Sequence, residues 1–245
     1  MILNKYFNGI TYLILLGISI RLIIVIVNYL TGYNSFIGPD SYGLHHTAVM
    51  LSKKDFSFII SQKFHLHNFY LFIAPLFYKI SPFNSYTFGS LISILCWFVS
   101  ILLCLHTMKM LKVKKNFVFL GIFLLCFWPS LILFTAAVSR EAFQILFVCA
   151  SILLTIKTII SKKKIYLFFL ILVSLVLSLL HKAFFFFSLW NLTIAFFSLI
   201  SLKFLKSKTN IIISLGLILI LTVLIQNYEN YGYKQFAQGL PQAVE

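Results

Sequence analysis

Five carboxylates are all that the chain has for acid–base chemistry: Asp40, Asp55, Glu141, Glu229 and Glu245. Asp40 lies in Gly38-Pro39-Asp40-Ser41-Tyr42-Gly43-Leu44-His45-His46. A carboxylate flanked by aromatic and imidazole groups can take a proton from a hydroxyl, with His45 close enough in sequence to touch the same substrate. Pro-Asp-Ser also reads as a turn in which Asp40 caps the helix that follows. Glu141 comes directly after Ser139-Arg140. There Ser139 can cap a helix, and a glutamate in the first turn suits the positive end of the helix dipole. The functional alternative is that Arg140 holds an anionic head group while Glu141 hydrogen-bonds substrate. Adjacent helical residues do not face each other, so a simple Arg140–Glu141 pair is not expected. Lys182, beside His181, is a further cation for the same anion.

No metal or other cofactor is expected. His65-Leu66-His67 has no Asp, Glu or Cys close by in sequence to complete a ligand set. Cys96, Cys104, Cys126 and Cys149 all fall inside apolar runs without a CxxC pair, so they read as small buried residues.

The elements that must carry these groups follow from composition. Of the 245 residues, 61% are hydrophobic and only 10% are charged. Soluble domains have about 45–50% apolar and about 25% charged residues, so a soluble enzyme, a disordered chain and a disulfide scaffold are excluded. The net charge of +15 would suggest nucleic acid in a soluble chain, but these lysines lie between apolar runs and read as topology signals. The expected class is an all-α polytopic membrane helix bundle. A span needs about 20 apolar residues, which places about seven: 10–30, 84–108, 116–136, 141–161, 165–180, 183–204 and 210–226. Residues 165–204 as one helix would be about 60 Å long, so the chain must break near His181-Lys182. The first run lacks a small-residue cleavage site and is read as a retained span.

The stretch 69–80 is too short to span and contains Pro75, so it reads as an interfacial or re-entrant helix. With it outside the count, the N-terminus is inside and the C-terminus outside. Twelve of the 20 basic residues then collect on the inner side: Lys5, Lys109, Lys112, Lys114, Lys115, Lys157, Lys162, Lys163, Lys164, Lys203, Lys206 and Lys208. A long, partly helical first outer loop (31–83) and an outer tail (227–245) face the other way; four carboxylates fall in them and Glu141 at the outer start of the fourth span, so all five are on the outer side. The tail stops soon after the seventh span, which fits either a short tail or a fragment of a longer protein. Arg21 sits inside the first span, where an unpaired charge costs of order 2.5–3.5 kcal/mol on insertion scales. It must face the bundle interior, for a structural contact or for substrate.

Four features in order resemble the N-terminal transmembrane module of GT-C-type glycosyltransferases. They are Arg21-Leu22-Ile23 in the first span, Pro39-Asp40-Ser41-Tyr42-Gly43-Leu44-His45 in the first loop, the return through Asn68-Phe69-Tyr70-Leu71 and Leu76-Phe77-Tyr78-Lys79-Ile80, and Trp128-Pro129-Ser130 leading to Ser139-Arg140-Glu141-Ala142. The resemblance covers roughly residues 10–205. It implies transfer of a sugar, with inversion, from a polyprenyl-phosphate-linked donor to a glycan, lipid or protein acceptor on the extracytoplasmic face. It also implies Asp40 as the base and Arg140 at the donor phosphate; Lys182 joins them by topology alone. A bacterial inner membrane is the expected location, with membrane lipid as partner and no nucleic acid. The alternatives are a polymerase- or flippase-type export protein and a non-catalytic membrane subunit.

Overall fold

The computed structural model describes residues 2–31, 39–55, 57, 69–81, 85–181 and 184–199. Among these residues all regular structure is helical: α1 (Ile2–Leu30), α2 (Pro39–Ser52), α3 (Phe69–Ile80), α4 (Ser85–Met110), α5 (Lys115–Phe127), α6 (Pro129–Ala136), α7 (Arg140–Ser161), α8 (Lys164–Leu180) and α9 (Phe184–Leu199). The expected span 210–226, the tail, Lys182 and the His65-Leu66-His67 pair lie outside the described residues.

Among the described residues three helices are long and apolar enough to cross a membrane, Gly9–Leu30, Tyr86–Met110 and Arg140–Ser161, and a fourth crossing arises if α5 and α6 count as one bent span. This is consistent with an integral membrane protein. The burial pattern agrees. Among the described side chains of α1 one stripe is buried, Ile10, Ile14, Gly17, Arg21, Val25 and Asn28, at steps of three or four residues. Tyr12, Leu15, Leu16, Ile23 and Ile26 on the other faces are exposed. A helix that is apolar all round but buried on one stripe needs hydrocarbon against the rest of its surface. At about 24–26 Å, α8 and α9 are shorter than the bilayer core.

Small and hydroxylated residues let these helices approach closely. In α4 Ser90, Ser93, Ser100 and Thr107 are buried. Ser93, Ser100 and Thr107 donate to carbonyls one turn back, Gly89, Cys96 and Leu103, at 2.7–3.1 Å. That satisfies each hydroxyl without a partner helix. Between α7 and α9, Asn191 Nδ2 reaches Ser151 Oγ at 3.4 Å.

The expected straight span 116–136 is broken. Its halves, α5 and α6, meet at Trp128-Pro129 with a bend of 53°. Pro129 has no N–H to give the Leu125 carbonyl, four residues back. Trp97 Nε1 on α4 donates to that oxygen instead, at 2.9 Å. The next carbonyl, Cys126, accepts from Arg21 Nη1 on α1 at 3.0 Å. The same guanidinium donates from Nη1 to Gly17 O at 3.0 Å and from Nε to Thr135 Oγ1 on α6 at 2.7 Å. It lies 3.7 Å from the centroid of the Trp97 ring. One fully buried side chain thus joins α1, α4, α5 and α6. Gly17 makes room for this, since a Cβ there would come within 2.9 Å of Trp97 Cη2.

Polarity along the bundle follows from a second cluster. Tyr86 at the start of α4, Val138 just ahead of α7 and Leu180 at the end of α8 share one buried core with Ala48 of α2 and Tyr70, Ala74 and Tyr78 of α3. At the opposite helix ends, one turn carries Lys109, Lys112, Lys114 and Lys115, and another carries Lys157, Lys162, Lys163 and Lys164. Both turns pass through a lysine in the left-handed region, Lys112 at φ 52° and Lys162 at φ 55°. Glycine would sit there with less strain, by roughly 1–2 kcal/mol, so the charge is kept despite the backbone. Lys162 also donates from Nζ to the Ser198 carbonyl of α9.

The Arg21 junction sets a prediction. Arg21→Met strands the Cys126 carbonyl in the interior and removes the donor to Thr135 Oγ1, which keeps its own bond to the Leu131 carbonyl, and should cost about 2 kcal/mol or more. Trp97→Phe keeps the ring but strands Leu125 O, at about 1–2 kcal/mol. Denaturant unfolding in detergent micelles checks both. Arg21→Lys should not rescue, because one ammonium cannot reproduce the guanidinium fork.

Candidate functional site

Two features meet at the end of the bundle opposite the lysine turns. The first is the docking of α2 onto α3. Ala48 is fully buried, and Val49 and Leu71 pack beside it. Lys79 Nζ donates to the Lys54 carbonyl, fastening the chain just after α2 to α3. At the core of the contact His45 Nδ1 lies 3.2 Å from Tyr78 Oη, which lies 3.5 Å from Tyr70 Oη. The His45 ring also sits edge-on to Tyr78 and Tyr86, with centroids 5.5 and 5.1 Å apart. Gly89 allows this, because a Cβ on it would come within 2.5 Å of Tyr78 Oη.

Burial sets the protonation of these groups. Desolvation, with a smaller contribution from His46, lowers His45 to about 4, so it is neutral at pH 7. Desolvation also pushes Tyr78 up to about 12. Tyr70 rises well above the ordinary phenol value, first through desolvation, then through Tyr78, with Glu141 also contributing. Two neutral phenols and a neutral imidazole therefore form a chain that ends near Glu141.

The second feature is the start of α7. Ser139 does not cap it as expected: no side-chain cap forms, and Ser139 Oγ instead donates to Phe134 O at 2.5 Å. The expectation against an Arg140–Glu141 contact also fails. Arg140 Nε lies 3.5 Å from Glu141 Oε1, although Nε, buried, has no aligned hydrogen bond. The first turn of a helix leaves side chains freer than mid-helix spacing rules assume, so the adjacent pair can bend together. Phe143, one turn further, packs edge-on against Tyr70 with centroids 5.9 Å apart.

Beside this turn a cleft of about 630 Å³ runs along α7. Its walls come from Leu124 and Leu125 of α5, Trp128 at the break, Leu131 and Phe134 of α6, and Val148 of α7. Its polar groups are Ser130, Glu141 and Gln144. Gln144 is 8% exposed, and its Nε2 is buried with no hydrogen-bond partner. Trp128 and Phe134 are exposed at the rim, so the cleft opens sideways rather than along the bundle axis.

The expected site residues divide accordingly. Glu141 lines the cleft, with Arg140 against it. His45 belongs to the tyrosine chain. Asp40 is the second residue of α2, so it lies within the first turn rather than ahead of it as a cap; its side chain is outside the described residues, as is Lys182. Arg21 is at the helix break, with protein groups around it. Sequence reasoning passed over Tyr86, Trp97, Thr135 and Gln144. The last two are polar residues inside apolar runs, and that alone could have marked them.

Among the described residues no three His, Cys, Asp or Glu side chains gather where a metal ion could sit. No protein-family model, curated protein or solved structure matches the chain.

His45 sets the prediction here. Its folded pKa of about 4 lies below the ordinary 6.5, so the undocked state binds the proton more readily. The stability of the α2–α3 contact is therefore complete above pH 6.5 and lost progressively as pH falls toward 4. Amide exchange in α2, corrected for its intrinsic pH dependence, should speed up between pH 7 and pH 5. His45→Gln should flatten that response.

Proposed function

We propose that the protein is a membrane glycosyltransferase of the GT-C type, transferring a sugar from a lipid-linked polyprenyl-phosphate donor to an acceptor on the extracytoplasmic face. The observation that carries this reading is the sideways-opening apolar cleft with Glu141 and Gln144 at its head, at the same end of the bundle as the helix that bears Asp40. A lipid-borne substrate needs an apolar trough that ends in polar groups, and a lateral opening lets it enter from the bilayer. The lysine turns at the opposite end support an orientation with that end inside, and about seven spans, N-in and C-out. The bacterial inner membrane is the fitting location.

In this reading the acceptor oxygen attacks the anomeric carbon from the face opposite the phosphate, giving inversion. Asp40 takes the hydroxyl proton as the C–O bond forms. The phosphate leaves with the bonding electron pair, and Arg140, joined by Lys182, stabilises the charge that develops on it. His45 and the tyrosines behind it hold α2 so that Asp40 starts from a fixed helix. Arg21 serves through the helix break.

The test is transfer of radiolabelled sugar from a panel of polyprenyl-phosphate donors in membranes that carry the full chain. Asp40→Asn should lower turnover about 10²–10⁴-fold, the range of general-base catalysis, with the protein still folded. Unchanged turnover removes Asp40 from the base role. No turnover from any donor favours the non-catalytic subunit.

A further inference from the structure

The head of the cleft carries a donor and an acceptor in its wall, with one cation, Arg140, behind the acceptor rather than in the wall. Glu141 and Gln144 are three residues apart on α7 and therefore lie on one face of the helix. Glu141 is the one charged side chain among the described residues that line the cleft; Arg140 is not part of the wall. Gln144 is more than nine-tenths buried, and its Nε2 has nothing to donate to. Leaving such a donor unpaired in the interior costs about 1–3 kcal/mol, so an acceptor is expected to fill the place.

The ligand that answers both groups has an oxygen that accepts from Gln144 and an O–H that donates to Glu141. A hydroxyl does both with one atom. A phosphate fits less well, because it brings negative charge against the Glu141 carboxylate, and the nearest cation, Arg140, already sits against that carboxylate from outside the wall. Beyond the head the trough is mainly apolar, with Leu124, Leu125, Leu131, Phe134 and Val148 and a single hydroxyl, Ser130, which suits an alkyl or isoprenoid chain. The geometry points to a binding site for a membrane lipid alcohol, a single apolar chain ending in a hydroxyl read by Gln144 and Glu141.

This rests on the transferase reading in one respect only: there the lipid alcohol is the acceptor. Its O–H bond breaks as its oxygen bonds to the anomeric carbon. As it reacts, the hydroxyl turns its proton from Glu141 to Asp40, the base of that reading, and the donor phosphate departs with the electrons of the broken C–O bond. The phosphate-linked donor then lies outside the cleft, on the Arg140 side of α7.

Binding to the purified full chain in nanodiscs tests the site without any sugar transfer. The probes are tritiated hexadecanol, with hexadecane, hexadecyl methyl ether and hexadecyl phosphate as competitors. Hexadecanol should bind one to one and be displaced poorly by the other three. The ether, which accepts but cannot donate, isolates the Glu141 half of the site and needs no protein variant. Gln144→Met, similar in length, should weaken hexadecanol about tenfold and leave hexadecane unchanged. Equal binding of hexadecanol and hexadecane, tighter binding of hexadecyl phosphate, or undiminished alcohol binding by Gln144→Met would each overturn the site. Alcohol-selective, Gln144-dependent binding in a protein that transfers no sugar upholds the site and counts against the transferase reading instead.

Discussion

Everything else in this bundle depends on what happens to two carbonyl oxygens beside Pro129. A proline inside a span removes one hydrogen-bond donor, and in hydrocarbon no water is present to replace it. The Leu125 and Cys126 oxygens would face the interior unpaired. The Trp97 indole takes the first and the Arg21 guanidinium takes the second. Each answers a cost with another. A buried arginine needs acceptors, and a broken helix needs donors, so two groups that would each destabilise a span are compatible together. The cation over the Trp97 ring adds to this without further polar burial.

The bend then determines where the site can form. A straight helix over 115–136 would pack along α7 for its whole length. Bent by 53° at Trp128, α6 leaves α5 at an angle, and the gap between the two halves and α7 becomes the cleft. Thr135 on α6 is tied to Arg21, so the angle is held from α1 rather than left to the loop. Two residues after Thr135, the chain turns and begins α7 with Arg140 and Glu141. The depth of Arg21 in the first span and the position of Glu141 at the head of the cleft are thus linked by one short stretch of chain.

Much of this could be read from residues, and the exceptions have physical reasons. A charge in an apolar run must turn inward, so the burial of Arg21 followed from its position alone. Its partners did not, because they lie 105 and 114 residues away in the chain. The helix Phe69–Ile80 emerged with its expected bounds, since a 12-residue apolar stretch with flanking polar residues permits little else. The break at His181 followed from length. The break at Pro129 was not anticipated, because apolar composition runs through it unchanged and length gave no reason to divide it. Gln144 was passed over for the opposite reason. A single amide inside an apolar run marks a position without saying what it does, and only the shape of the surrounding wall shows that.

That distinction separates Gln144 from the other buried polar groups of α7. Ser151, Thr155 and Thr158 donate to carbonyls three or four residues back on their own helix, at 3.1, 2.8 and 2.8 Å. Ser151 also takes the Asn191 amide from α9. Hydroxyls can close on their own backbone, so their burial asks nothing of a ligand. An amide on a longer stem cannot satisfy Nε2 that way, and here no neighbouring helix supplies an acceptor. A protein that wanted only close helix packing at this position would do better with serine, as it does along the rest of α7. Glutamine one turn from a glutamate at the head of an apolar trough fits the proposed recognition of a polar group on a lipid.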